Sequence, residues 1–288
     1  MKLASIHANG VDRPAIVDEA ERRVFPLDKA PSDMIDLIYD YDRLRPDLVA
    51  AGTGFAFDEV RWNAPIARPR RNIFCVGKNY REHAFEFSRS GFEAGAKVGD
   101  GVDAYPAVFT KPPNTVAATG AEISLHPGAT DSVDYEAELA VVIGKAGRDI
   151  RAADAFGHIW GYTIINDVTA RDRQKNHKQW FLGKALDGFC PMGPWVATAD
   201  EVDATNLTVE CKVNGETRQK ANTSDLIFGI ATLIEVISAG LTLQPGDIIA
   251  TGTPAGVGIG FNPPRFLKAG DIVDISITGL GTLTNTFR

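Results

Sequence analysis

Cysteine is scarce in this chain. Its 288 residues hold three, Cys75, Cys190 and Cys211, widely spaced and with no Cys-x-x-Cys. An odd, sparse set argues for a reducing compartment and against both a zinc site and a disulfide framework. Excess positive charge is missing too. Thirty Lys and Arg stand against 37 Asp and Glu, a net charge of −7, so no basic field invites nucleic acid or an anionic membrane. An anionic substrate must then be drawn by a local site against the overall charge. Met1 to Gly10 lacks an apolar signal segment, and no stretch approaches membrane-spanning length, which makes cytoplasm the expected location. Internal repeats and low-complexity tracts are also absent. What remains, 44% hydrophobic and 23% charged, is an ordinary globular composition, long enough for one large domain or one plus a small appendage.

Residues 1–68 read as a small α+β unit and 69–288 as the main domain. Lys2 to Ile6 and Arg13 to Val17 are expected strands around an Asn9-Gly10 turn. Met34, Ile35, Leu37, Ile38 and Tyr41 recur at helical spacing behind a Ser32 cap. Asn72 to Gly77 is a buried strand ending in glycine. Beyond it the pattern is mostly β. Thr208 to Val213 and Glu216 to Lys220 flank the hairpin signal Asn214-Gly215, and Asp247 to Ala250 and Ile272 to Ile277 add strands after Gly-Asp turns. One helix is expected from a Thr223/Ser224 cap through Ile237 to a stop at Gly240. Strands do not alternate with crossover helices, so a doubly wound sheet is not expected. Ser88 to Ala104, rich in Gly, Ala and charge, reads as a mobile loop.

The most informative stretch is Asp134 to Gly144, which reads as one strand opening on carboxylates and closing on an apolar run. Side chains alternate along a strand, so Glu136 and Glu138 face one side, roughly 6–7 Å apart at Cα. Like charges at that spacing repel unless a cation or a proton joins them. Asp167 ends another apolar run, Trp160 to Asn166. Three hard oxygen donors at strand ends, with no Cys or His nearby in sequence, suit an octahedral ion such as Mg²⁺ or Mn²⁺. Solvated surface acids are the bland alternative.

Four further pieces carry chemistry. After Gly77 comes Lys78-Asn79-Tyr80-Arg81-Glu82-His83-Ala84-Phe85-Glu86. On a short helix His83 and Glu86 share a face, and a carboxylate holding one imidazole nitrogen leaves the other to take a proton from water. Without that partnership they are a polar pair on an exposed helix. Arg171 and Gln174, also three apart, can offer donors to a carboxylate or keto oxygen, although Arg171 could simply pair with a neighbouring acid. Lys184 follows an aromatic lead-in, Phe181-Leu182-Gly183; among carboxylates it would stay protonated and neutralise an enolate. Ile248 to Gly258 is a glycine-rich loop after a strand. It lacks the Gly-Lys-Ser/Thr of a phosphate loop, and Pro263-Pro264 forbids the helix of a dinucleotide site. Its amides, Gly252 among them, and the Thr253 hydroxyl are expected to hold a small anionic group.

In this order, Val76-Gly77-Lys78-Asn79-Tyr80…His83-x-x-Glu86, Tyr135-Glu136-x-Glu138-Leu139, Asn166-Asp167-x-Thr169-Ala170-Arg171-Asp172, Phe181-Leu182-Gly183-Lys184 and Gly246-Asp247-x-Ile249-x-Thr251-Gly252-Thr253-Pro254 resemble the fumarylacetoacetate hydrolase family over about residues 70–288. The resemblance implies a mixed β-roll, usually a homodimer, with a small appended N-terminal domain as in longer bacterial members. It implies Mg²⁺ or Mn²⁺ on Glu136, Glu138 and Asp167. By the same likeness, His83 with Glu86 activates water on a lid, Lys184 steadies the leaving enolate, and Arg171, Gln174, Gly252 and Thr253 line the substrate site. The reaction expected first is hydrolysis of the C–C bond of a 2,4-dioxo acid, acylpyruvate- or fumarylpyruvate-like and perhaps from aromatic degradation. Oxaloacetate decarboxylation and isomerisation or hydration of 2-oxo-alkenoates use the same site. A non-enzymatic protein braced by Ca²⁺ is the reading from a different class, and a nicotinamide oxidoreductase is less favoured still.

Overall fold

The computed structural model describes residues 1–91 and 102–288. In chain order its main elements are β1 (Lys2–Ala8), β2 (Val11–Asp18), β3 (Arg23–Pro26), α1 (Met34–Tyr39), β4 (Ile73–Gly77), α2 (Arg81–Arg89), β5 (Ala107–Lys111), β6 (Ala137–Ile143) and β7 (Ile159–Asn166). They continue with α3 (Arg171–Asn176), α4 (Phe181–Lys184), β8 (Cys190–Thr198), β9 (Thr208–Val213), β10 (Glu216–Asn222), α5 (Ile230–Ser238), β11 (Ile248–Ala250), β12 (Ile272–Ile277) and β13 (Gly281–Phe287). The fold is α+β and mostly β. A mixed sheet of 12 strands runs β3-β2-β1-β8-β7-β6-β11-β4-β5, with short strands attached, and a sheet of five runs β10-β9-β12-β13 and ends at Glu122–Ile123.

All seven residues of β6 are buried, so both faces of this strand are covered. The period of two divides them between two cores. Leu139, Val141 and Ile143 pack with Val273, Ile275 and Leu283 of the smaller sheet and Ile234 of α5. Ala140 and Val142 pack with Ile35, Leu37 and Ile38 of α1 and with Leu3 of β1. Each large side chain so buried contributes about 1.5–3 kcal/mol. The N-terminal strands extend the long sheet, because β1 pairs with β8 through Lys2↔Ala197 and Leu3↔Val196.

Strand direction builds the site. β6 is antiparallel to both β7 and β11, and β11 is parallel to β4. The start of β6 and the ends of β7, β11 and β4 therefore share one edge. Glu136 and Glu138, Asp167, Thr251 to Thr253 and Gly77-Lys78 all belong to that edge.

Four local expectations change. The strand from Asp134 is not continuous: Val133–Asp134 pairs with Thr169–Ala170, and β6 starts only at Ala137. Between them the Glu136 amide donates to the Asn166 side chain at 3.0 Å instead of to a ladder. The cap of α1 is Asp33 rather than Ser32, its Oδ1 accepting from the Ile35 amide at 2.7 Å. The expected helix from Thr223 breaks into a short 3₁₀ turn, Thr223–Asp225, capped by Asn222, and α5. The cause of that break is Asn79. Its carbonyl accepts from the Ile227 amide (2.8 Å), and its side chain bonds the Phe228 amide (2.8 Å) and carbonyl (3.0 Å), taking the groups a continuous helix would need. Finally, Asp247 lies just before β11 and accepts from the Gln244 amide and Arg71. Of the segment 88–104 read as a mobile loop, residues 92–101 lie outside the described residues.

Candidate active site

Glu136, Glu138 and Asp167 are 5%, 1% and 0% exposed. Each offers a carboxylate oxygen, and the three oxygens lie within 4.8 Å of one another. Surface acids do not look like this, so the solvated-strand-end alternative is gone. Lys184 Nζ bridges Glu136 Oε2 (2.8 Å) and Asp167 Oδ2 (2.7 Å). Lys111 Nζ donates to Asp167 Oδ1 at 2.5 Å and to the Val168 carbonyl at 2.9 Å. Arg171 sits between Asp134 Oδ2 (2.8 Å) and Glu136 Oε1 (2.7 Å). Arg171 thus pairs with neighbouring acids and also lines the cavity.

The cluster has four acids and three cations. Among the described residues no cation pairs with Glu138, whose Oε2 accepts from the Gly252 amide at 2.9 Å. Burial, and then the Asp167 and Glu136 charges, push the Glu138 carboxyl well above its ordinary range. Burial also pushes Glu136 upward, but Lys184 and Arg171 outweigh it and bring that carboxyl down to about 2. Lys184 loses charge preference to burial and regains more from Asp167 and Glu136, so its ammonium is held above the usual lysine value. A buried site short of positive charge, with three convergent carboxylates, fits a hard divalent cation such as Mg²⁺ or Mn²⁺.

A cavity opens on Glu136 and Glu138 and is also lined by His83, Arg171, Gln174, Lys184 and Thr253. His83 Nδ1 lies 3.2 Å from Glu86 Oε2 on α2. Glu86 is itself anchored, accepting from the Gly256 amide at 3.0 Å. Gly256 has φ +103°, and an added Cβ would collide with the Arg218 carbonyl, so only glycine turns the loop tightly enough to present that amide. Gln174 Oε1 accepts from Arg171 at 3.2 Å, which leaves its amide group as a donor. Thr253 Oγ1 accepts from Gln219 Nε2 at 2.8 Å and keeps its own proton to give.

The glycine-rich loop is an anion cradle, yet its amides serve the protein's own carboxylates. Gly252 holds Glu138, Gly256 holds Glu86, and Gly258 and Ile259 hold Asp134 at 2.6 and 3.1 Å. The Gly252 amide, expected to help hold a small bound anion, is taken by Glu138.

Lys111 and Gln219 escaped the sequence reading, and Asp134 and Asn79 were given no role in it. Lys111 had a signal: it shares the period-two face of β5 with Phe109, beside Pro112-Pro113. Gln219 gave none. It spans 82 residues to bond the Ala137 amide between the two glutamates.

Residues 72–288 match the family profile described as fumarylacetoacetate (FAA) hydrolase C-terminal. The chain belongs to the fumarylacetoacetate hydrolase family. Oxaloacetate tautomerase YisK of Bacillus subtilis strain 168 is 46% identical over 290 residues, covering 96% of this chain and 93% of that protein. Among solved family structures, the fumarylacetoacetate hydrolase of psychrophilic Exiguobacterium antarcticum superposes with a TM-score of 0.84 at 37% identity, covering 100% of this chain and 99% of its own. Maleylpyruvate hydrolase from Sphingobium sp. SYK-6, in complex with manganese(II) ion and pyruvate, reaches 0.78 at 30% identity, covering 100% and 98%. No helix among the described residues is long and apolar enough to cross a membrane.

Proposed function

We propose that this chain is a divalent-metal enzyme of short 2-oxo acids, and that its reaction is keto–enol interconversion of a small 2-oxo diacid of the oxaloacetate kind. The observation that carries this reading is the small cavity between the carboxylate floor and His83. A proton-transfer group lines one of its walls and cations line another, the convergence of polar groups that a small-molecule site needs. The end-to-end likeness to a protein named oxaloacetate tautomerase supports it.

Glu136, Glu138 and Asp167 would hold the ion, Mg²⁺ or Mn²⁺, which when bound supplies Lewis-acid polarisation of a 2-oxo acid's oxygens. Arg171 and Gln174 bind and orient the acid through charge-assisted and amide hydrogen bonds. His83, its Nδ1 tied to Glu86, uses Nε2 to take a proton from C3 and returns one at O2 or, in the reverse direction, at C3. Lys184 keeps positive charge beside the oxygen where negative charge develops. Thr253 donates its hydroxyl proton to the bound acid. The base is why hydrolysis was the first expectation, since an attacking water needs one. Abstraction of a C3 proton needs a base just as much.

Hydrolysis of an acylpyruvate is the second reading, favoured by the likeness to a maleylpyruvate hydrolase holding manganese and pyruvate. Decarboxylation of oxaloacetate makes no use of His83. A fold-bracing Ca²⁺ would seek six to eight oxygens, whereas three carboxylates beside a cavity leave positions for a ligand. The test is to add purified protein with Mg²⁺ or Mn²⁺ to fresh enol-oxaloacetate. Enol absorbance and pyruvate release are followed separately. Faster enol loss without pyruvate supports the proposal. Pyruvate from acylpyruvates, with oxaloacetate untouched, replaces it by hydrolysis; pyruvate from oxaloacetate replaces it by decarboxylation.

A further inference from the structure

Gly77 closes β4, and its backbone is not in the left-handed region, so the turn itself does not demand glycine. Space demands it. An added Cβ would collide with Cζ3 of Trp180 and come within 2.7 Å of Cη2. The six-membered ring of the indole packs against the one residue type that can receive it. From this seat Trp180 meets Phe109 edge-on at 5.3 Å and Phe87 at 5.8 Å. The row continues at both ends: Lys184 Nζ stands 4.8 Å from the Phe109 ring, and His83 stacks obliquely on Phe87 at 6.3 Å. All five residues line the cavity. Three rings thus form a continuous apolar wall from the lysine of the floor to the histidine of α2, facing Glu136, Glu138, Arg171, Gln174 and Thr253.

Edge-to-face rings hold one another in place, so such a wall is stiff. The polar side is held as well, Glu136 and Arg171 by ion pairs and Glu138, Gln174 and Thr253 by hydrogen bonds. Among the described residues, a longer substrate gains room most directly where a ring gives way. Phe87 is buried in its own small core with Val257 and Ile259, whereas Trp180 is partly exposed in the turn between α3 and α4. Phe109 packs against the larger core of α1, so Trp180, on the rim of the small core, is the ring to remove.

We propose that Trp180, seated on Gly77, sets the length limit of the substrate and confines the site to short 2-oxo acids. This rests on the 2-oxo acid reading above. The probes are oxamate, an unreactive mimic of a short 2-oxo acid, and its extended form N-benzyl oxamate, titrated calorimetrically into Mn²⁺-loaded protein. Wild type is expected to bind oxamate and to bind the benzyl derivative about tenfold or more weakly. Trp180→Ala should bind the benzyl derivative about tenfold more tightly than wild type does, with oxamate changed by about threefold or less. Gly77→Ala should weaken oxamate in the wild-type background and have no such effect beside Trp180→Ala. Should Trp180→Ala fail to fold, Trp180→Phe must show a smaller gain in the same direction. If wild type binds oxamate but no Trp180 variant gains the longer ligand, the wall proposal is overturned and the 2-oxo acid reading survives. If wild type binds neither, both are lost.

Discussion

Around one cavity, the strand-end floor and helix α2 solve the problem of a buried ionisable group differently. On the floor, Asp134, Glu136, Asp167, Lys111, Arg171 and Lys184 neutralise one another within a buried lattice of ion pairs. α2 instead turns Arg81, Glu82, Phe85 and Arg89 to solvent. It reaches the site through His83, Glu86 and Phe87, and Glu86 is docked by the Gly256 amide. A lattice of that kind resists local change, because removing one member strands its partners. A helix held by few contacts can change its chemistry without loosening the fold. The floor should therefore govern stability and metal affinity, and the helix should govern rate.

Asp167→Ala should give the largest effect. It strips both Lys111 and Lys184 of their shared acid, and losing one side of a buried pair costs about 3–5 kcal/mol. Denaturant unfolding should show that loss, and calorimetry should find Mn²⁺ binding abolished. His83→Ala comes next. Turnover should fall about 10²–10⁴-fold, while Mn²⁺ affinity is kept and unfolding free energy moves by about 1 kcal/mol. A His83 variant that unfolds as readily as Asp167→Ala would erase the contrast between the two regions.

The smallest effect sharpens the contrast within the floor itself. The Glu138 carboxyl is pushed up in the folded state, so the metal-free fold favours its neutral form. Its contribution is present below the ordinary carboxyl value of 4.5 and is lost as pH rises through the elevated folded value. Glu136 runs oppositely: its stabilisation is present above 4.5 and is lost as pH falls toward about 2. Metal-free Glu138→Gln, which keeps an oxygen for the Gly252 amide, should melt above wild type at neutral pH. About 1 kcal/mol corresponds to roughly 2–4 °C in a chain of about this size. The gap should close on acidification and reverse when Mn²⁺ is added. A melting point for Glu138→Gln below wild type in chelator would mean that Glu138 is not the uncompensated charge.

Much of this was legible along the chain. The Glu-x-Glu pair follows from a period of two, His83 with Glu86 and Arg171 with Gln174 from helical spacing, and the β-rich class from hairpin turns and short apolar runs. Two of the misreadings share one cause. A continuous strand through Glu136 and a continuous helix through Leu226 were both reasonable locally, and both were broken by side-chain amides from elsewhere, Asn166 and Asn79. The glycine-rich loop was expected to hold a bound anion, and a linear pattern could not tell that its amides serve Glu138, Glu86 and Asp134.

The sequence by itself determined which acids, bases and cations the chain owns, which of them share a strand or helix face, and the family they mark. Tertiary structure alone decided that Lys111 closes on Asp167 across 56 residues and that Glu138, among the described residues, is left without a cation. It alone seated Trp180 on Gly77. Local spacing is fixed by backbone periodicity, which any reader of the chain can count. Charge balance and cavity shape depend on which strand edges meet, and that is settled by how the two cores pack on either face of β6.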